Sequence, residues 1–263
     1  MHPRFAELDW ASTRIGEISL RRRLEPTTKT EVYEVKLDDE YLMSSLFTVA
    51  EEELARVTLA VLPNAPLDVV VGGLGLGYTA RSALTDDRVR SLTVVEALAP
   101  VIDWHRRELI PWARTITTDP RTTLLEGDFF ALLRDGTGFD AAAADRCFDA
   151  ILVDIDHSPV NALDPAHADF YTAGGLRRLG GRLHPGGAFG LWSDDAPDEA
   201  FLAVLRECFA TATTHVVTFT NPLTGGTSAN TVYVATTAAE PLTPAIPSRS
   251  HSRAATAVRL QDG

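Results

Sequence analysis

Three glycines at alternate positions, Gly73, Gly75 and Gly77, follow the β-branched run Val69-Val70-Val71, and an acid, Glu96, closes the next apolar run from Ser91. A buried strand, a turn that lets a ligand approach the backbone, and a carboxylate able to hold a ribose diol together make a nucleoside-cofactor site. The spacing chooses among cofactors. G-x-G-x-G departs from the G-x-G-x-x-G dinucleotide fingerprint, whose pyrophosphate rests on a helix N-terminus, so a nicotinamide oxidoreductase fits less well than a protein using S-adenosylmethionine, which carries no phosphate. After the next strand come Asp128 and Phe129, an acid for the adenine amino group and a ring to cover the base; Asp128 has an alternative duty as the cap of the following helix. The densest reactive group is Asp154-Ile155-Asp156-His157. Displacement at a sulfonium needs a nucleophile held in line and relieved of its proton. Asp154 or His157 has that chemistry, and Asp156 joins Asp154 on one side if the strand persists; the plain alternative is that Asp156 and Ser158 only organise the turn before Pro159.

Trp192, Tyr41 and His167 are the candidates for lining an acceptor pocket. Trp192 is equally a core residue, and His167 belongs to a loop able to close over the substrate. Asp154, Asp194 and Asp195 form an alternative trio of oxygen ligands for magnesium, although Asp195, just before Pro197 and Asp198, also reads as a helix cap. Glu51, Glu52 and Glu53 open a helix, where its positive end explains them.

The elements that must position these residues alternate between two periodicities. Residues 14–49 alternate apolar and polar positions, which predicts a small antiparallel β unit, with Arg21-Arg22-Arg23 on its solvated part; Glu51 to Leu62 has helical spacing. From Leu67 the pattern predicts strands over 67–72, 91–96, 122–126, 148–154 and 187–192, with helices near 78–84, 99–109, 129–134, 169–180 and 197–209. Two last strands, 215–220 and 231–236, are joined by a loop too short for a crossover helix and must pair antiparallel. The fold class is therefore α/β: a Rossmann-like, doubly wound, mostly parallel sheet ending in an antiparallel hairpin, with a small N-terminal β unit. The expected divisions are 1–64 for the β unit and linking helix, 65–237 for the cofactor-binding domain, and 238–263 for a flexible tail rich in Pro, Ala and Ser.

The 263 residues suffice for one sizeable α/β core, and a net charge of −12 excludes a nucleic-acid backbone as main partner while fitting a small cationic or neutral acceptor. Cys147 and Cys208 form no metal or redox pair, and no signal peptide or membrane-length apolar run is found, so a cytoplasmic protein without membrane partners is expected.

Taken in order, Val71-Gly-Gly-Leu-Gly-Leu-Gly77, Val94-Val-Glu96, Asp119-Pro-Arg121, Glu126-Gly-Asp128, Phe148-Asp-Ala-Ile-Leu-Val-Asp154, Asp169-Phe-Tyr171 and Leu183-His-Pro-Gly-Gly187 resemble the spermidine synthase, or polyamine aminopropyltransferase, family. The resemblance covers roughly residues 15–236. It implies the class I S-adenosylmethionine-dependent fold, with Glu96 on the ribose, Asp128 on the adenine, Asp154 as the carboxylate that deprotonates the attacking amine, and a homodimeric assembly. Two positions depart from the family. Its glycine turn carries an Asp, which holds the amine of decarboxylated S-adenosylmethionine, where this chain has Gly75; its catalytic loop carries a second Asp where this chain has His157. An Asp at the turn would repel the carboxylate of intact S-adenosylmethionine, and Gly75 would not, so the expectation is methyl transfer from the intact donor to a small-molecule acceptor. Aminopropyl or aminocarboxypropyl transfer, the former from decarboxylated S-adenosylmethionine, is the alternative; a binding protein without catalysis is a further one.

Overall fold

The computed structural model describes residues 5–239. Four strands, β1 (Phe5–Thr13), β2 (Gly16–Leu24), β3 (Glu31–Leu37) and β4 (Glu40–Ser44), form an antiparallel meander in sequence order. The first begins earlier than the sequence pattern indicates, because its nine residues leave no position fully buried and so give little apolar signal. The arginine run lies on β2 and is neutralised locally: Arg21 pairs with Glu7, Arg22 with Glu31, and Arg23 with Glu25 and Glu34.

Helix α1 (Val49–Ala60) leads into the main domain of β5 (Leu67–Gly72), α2 (Tyr78–Leu84), β6 (Val89–Glu96), α3 (Ala99–Arg106), the short α4 (Arg114–Thr117), β7 (Thr122–Glu126) and α5 (Phe129–Arg134). It continues through β8 (Phe148–Val153), a 3-10 helix (Pro165–Tyr171), α6 (Ala173–Gly180), β9 (Leu183–Ser193), α7 (Glu199–Cys208), β10 (Thr211–Asn221) and β11 (Gly226–Thr236). The helix expected over 169–180 is thus two elements, divided at Thr172, whose hydroxyl caps α6 at Gly175.

The seven strands run in the order β10-β11-β9-β8-β5-β6-β7, parallel except for β11, which is antiparallel to both β9 and β10. Strand β5 is buried along its whole length. Its Val69 and Val71 join the core shared with α1, α2, α3 and the N-terminal meander, and Val70 joins the core under α5, α6 and α7. Each such valine contributes roughly 1.5–3 kcal/mol of apolar burial, so two-sided packing fixes the register of the strand whose end forms the turn. The order of strands reverses between β5 and β8, and ligands of such sheets bind beyond the carboxyl ends at that switch. Among the described residues no helix is long and apolar enough to cross a membrane. The expected flexible tail lies almost wholly outside the described residues.

Candidate functional site

The turn after β5 is held in shape from three directions. Gly73 and Gly75 have φ of 94° and 47°, in the region that disfavours side chains. A Cβ on Gly73 would overlap the Asp154 carbonyl oxygen, so that position has no room for a side chain, and one on Gly75 would stand 2.7 Å from the Met43 sulfur, which would have to shift. Glu96 accepts the Leu74 and Gly75 amides at 3.0 and 3.4 Å through one oxygen and the Leu98 amide at 2.8 Å through the other. Burial raises its pKa. Finally, buried His105 donates from Nε2 to the Gly75 carbonyl at 2.9 Å, and its burial lowers the pKa of the ring. Gly77 starts α2 and lies against His105 and Ile116.

A first cavity, of about 120 Å³, opens above this turn between β6, β7 and the N-terminal meander, and is lined by Ile15, Ile18, Val95, Leu98, Val101 and Phe130 among others. Its carboxylates are largely engaged. A carboxylate offers about four acceptor sites, and three backbone amides point at Glu96, leaving capacity for a ligand hydroxyl. Asp128 caps α5 by accepting from Phe130 and Ala131, and its second oxygen meets Arg14 at 3.4 Å. Asp164 caps the 3-10 helix and also lies near Arg14.

A second cavity, of about 520 Å³, adjoins the first through Met43, Gly75, Asp154 and Ile155. Its acids are Glu51, Asp154 and Asp194, and among the described residues no lysine or arginine lines it. Asp154 follows the last residue of β8, accepts from the Thr79 hydroxyl at 2.6 Å, and is pushed by burial to a pKa of about 6. Glu51 is pushed to about 8, first by burial and then by the Asp154 charge, with Glu52 and Asp194 adding to the effect. Asp194 accepts from the Asn230 amide at 2.6 Å. Aromatic walls come from Tyr41, Phe47, Tyr78, Trp192 and Phe219.

The sequence candidates separate on these two cavities. Gly73, Gly75, Glu96, Asp128, Phe129 and Asp154 all line the first; Asp154, His157, Tyr41 and Trp192 line the second. Phe129 is 2% exposed and stacks on Phe139 at 4.8 Å, so most of its face belongs to the core beneath the turn. Trp192 is both core and wall, as it packs on the core and its buried Nε1 has no partner among the described residues. Tyr41, 61% exposed, stands at the rim.

Four expectations are corrected. Strand β8 ends at Val153, so Asp156 does not share a side with Asp154; it is 2% exposed and accepts from the Leu163 amide, His167 Nδ1 and the Tyr171 hydroxyl, which leaves it no catalytic access. His167 lines the first cavity instead of the acceptor side, where it packs on Phe130 with ring centres 4.0 Å apart. Asp195 is exposed and lines neither cavity; Asp198 caps α7 in its place, and the magnesium trio is not assembled, since the described residues contain no metal-binding group of three. Glu51 was the residue to find. Glu53 pairs with Arg56 and Glu52 with Arg81, whereas Glu51 has no ion-pair partner among the described residues and shares a helical face with buried Leu54, Ala55 and Thr58. An acid on an apolar stripe was the available signal.

No family model matches the chain. It is 32% identical over 155 residues to polyamine aminopropyltransferase 2 of Pseudomonas aeruginosa, covering 56% of this chain and 41% of that protein. It is 29% identical over 136 residues to putrescine N-methyltransferase 2 of Nicotiana tabacum, covering 52% and 35%. The spermidine synthase of Thermotoga maritima superposes over 90% of this chain and 74% of its own, with a TM-score of 0.67 at 19% identity. The chain has a spermidine synthase-like fold. It aligns with less than half the length of these two relatives. The spermidine synthase-like fold extends to a spermidine synthase in complex with the transition-state analogue AdoDATO, at a TM-score of 0.68, 19% identity and coverage of 90% and 75%.

Proposed function

We propose that this protein transfers an aminopropyl group from decarboxylated S-adenosylmethionine to a small amine. The first cavity is then the donor cavity, the second the acceptor cavity. The observation that carries this reading is the acid set Glu51, Asp154 and Asp194 in a cavity that also borders Gly75 and is lined by no lysine or arginine among the described residues. Gly75 alone argues for the intact donor, because it repels no carboxylate. Glu51 weighs the other way: with a pKa of about 8 it is mostly protonated in the ligand-free protein at neutral pH, and an ammonium tail beside it favours its ionised form, whereas a carboxylate tail does not. The polyamine aminopropyltransferase relative supports the same choice.

The fit to the donor rests on residues already described. The donor cavity has apolar walls for an adenine, and Glu96 retains acceptor capacity for ribose hydroxyls. In the reaction Asp154, on the boundary of both cavities, takes the proton from the attacking amine as the new C–N bond forms and the C–S bond breaks, with the neutral thioether 5′-methylthioadenosine as leaving group. At neutral pH a carboxyl with pKa about 6 is mostly ionised and ready to accept. Thr79 orients it by donating to one oxygen, leaving the other for the amine.

A second reading, methyl transfer from intact S-adenosylmethionine, is favoured by the absent acid at Gly75 and by the putrescine N-methyltransferase relative. Incubation with each donor and a panel of diamines, with products identified by mass spectrometry, separates the two. Aminopropylated amine with 5′-methylthioadenosine supports the proposal; methylated amine with S-adenosylhomocysteine replaces it by the second reading.

A further inference from the structure

The acceptor cavity is charged at one end only. Thr79 gathers two of its acids, since its hydroxyl donates to Asp154 at 2.6 Å and lies 3.3 Å from the Glu51 carbonyl oxygen. Asp194 is tied to the same place, because its amide donates at 2.7 Å to the carbonyl of His157, on the loop that Asp154 opens. The charges of Asp154 and Asp194 both reach Glu51.

The hairpin of β10 and β11 measures the way to the other end. Asn230 donates to Asp194 at 2.6 Å, and Ser228, two residues along β11 on the same face, lies about 7 Å further by strand rise. Ser228 stands opposite Phe219 in the register, and the Phe219 ring packs on Phe47 with centres 5.5 Å apart. The Ser228 hydroxyl is occupied by the Asn221 amide at 3.0 Å. Both rings are half-buried and line the cavity, whose only carboxylates among the described residues are the three acids at the first end. At the rim the Lys36 ammonium stands 5.1 Å from the centre of the Tyr41 ring, a positive charge that disfavours another.

The balance of charge agrees with this polarity. Decarboxylated S-adenosylmethionine carries a sulfonium and an ammonium, and an amine reaches the site as an ammonium, its form in neutral water. Glu51, Asp154 and Asp194 answer these charges one for one. A second ammonium on the acceptor would come to rest against Phe47 and Phe219 with no acid to meet it. Aromatic faces attract a cation weakly compared with the hydration it gives up.

We propose that the preferred acceptor is a primary monoamine with an apolar tail, of the arylalkyl class, its amine among Glu51, Asp154 and Asp194 and its tail against Phe47 and Phe219. Diamines are then poorer acceptors. The inference rests on the reading of the second cavity as the acceptor cavity.

Calorimetric titration with 2-phenylethylamine and with 1,4-diaminobutane, in the presence of 5′-methylthioadenosine, tests it by binding alone. The wild type should bind 2-phenylethylamine about tenfold more tightly, the effect of burying roughly two methylene equivalents more of apolar surface. Phe219→Glu, on the edge strand β10, supplies an acid at the tail end and should move the ratio toward the diamine by about tenfold, the scale of one charge contact at an intermediate dielectric. Equal or tighter binding of the diamine by the wild type overturns the proposal whether or not the variant folds, and assigns the second ammonium to Asp194. A folded Phe219→Glu protein with an unchanged ratio overturns it as well. Binding of neither amine refutes the acceptor-cavity reading itself. The titration does not depend on the group transferred, so a preference for 2-phenylethylamine alongside methylated products would uphold this proposal and replace only the donor.

Discussion

The donor and acceptor cavities share Leu42, Met43, Gly75, Asp154, Ile155 and Leu163, yet they treat carboxylates differently. On the donor side Glu96, Asp128 and Asp164 are answered by backbone amides, and Arg14 lies near the last two. On the acceptor side Glu51 has no ion pair among the described residues, Asp154 has a single hydroxyl, and Asp194 has an asparagine amide. Desolvating an ionised carboxylate without counter-charge is costly, as the raised pKa values of Glu51 and Asp154 record, and such groups persist where a ligand supplies the charge. On the proposed function, the contrast means that acids of the donor side build the site, while acids of the acceptor side are left for a cationic ligand.

The largest effect that sharpens this contrast is on the rate. Asp154→Asn removes the proton acceptor while keeping a hydrogen-bond acceptor for Thr79, and should lower kcat roughly 10²–10⁴-fold, a larger effect than any loss of donor affinity from removing one of the acids beside Gly75. Steady-state kinetics alongside calorimetry checks it; a kcat within a few-fold of wild type would break the contrast at its centre.

Next in size is donor selection. Glu51→Gln should weaken binding of decarboxylated S-adenosylmethionine by roughly tenfold, the scale of one lost charge contact at an intermediate dielectric, and narrow its advantage over the intact donor. Binding measured for both donors on the variant tests this, and an unchanged ratio would place the selecting acid elsewhere.

A smaller effect concerns stability against pH. Glu51 is raised from 4.5 to about 8 and Asp154 from 3.8 to about 6, so between these limits the folded protein binds more protons than the unfolded chain. Stability therefore falls as pH rises through that window: the Asp154 contribution is present below pH 3.8 and lost by about 6, and the Glu51 contribution is present below 4.5 and lost by about 8. Thermal unfolding of the ligand-free protein should show Tm declining from pH 5 toward 8, with a shallower decline for Glu51→Gln. A slope identical in the variant would refute the assignment to Glu51.

The smallest effect is on the donor side. Asp128→Ala loses the cap of α5 and should cost about 0.5–2 kcal/mol, visible in denaturant unfolding, with donor affinity changed far less than stability. A large loss of affinity at constant stability would put Asp128 among the acids left for a ligand.

Much of this was legible in the chain. Val69 to Val71 with the spaced glycines marked β5 and its turn, and short apolar runs gave the helices 78–84 and 129–134 with their bounds, because two-sided burial and helix periodicity leave direct traces in composition. Side-chain direction was not legible. Asp154 and Asp156 differ by two positions, and a strand that ended one residue earlier than expected sent them to separate partners. Asp195 read as the helix cap, whereas the backbone starts α7 three residues later and Asp198 caps it. Glu51 was hidden by a sufficient local explanation, the helix terminus, since the facing Asp154 and Asp194 come from strands more than 100 residues later.

The central claim is that the acids beside Gly75 select a donor with a cationic tail. Titration calorimetry of the wild-type protein with S-adenosylmethionine and with its decarboxylated form, on one sample, tests it most directly. Tighter binding of the decarboxylated donor is the predicted result; tighter binding of the intact donor would contradict it and leave the open turn at Gly75 as the feature that governs the donor.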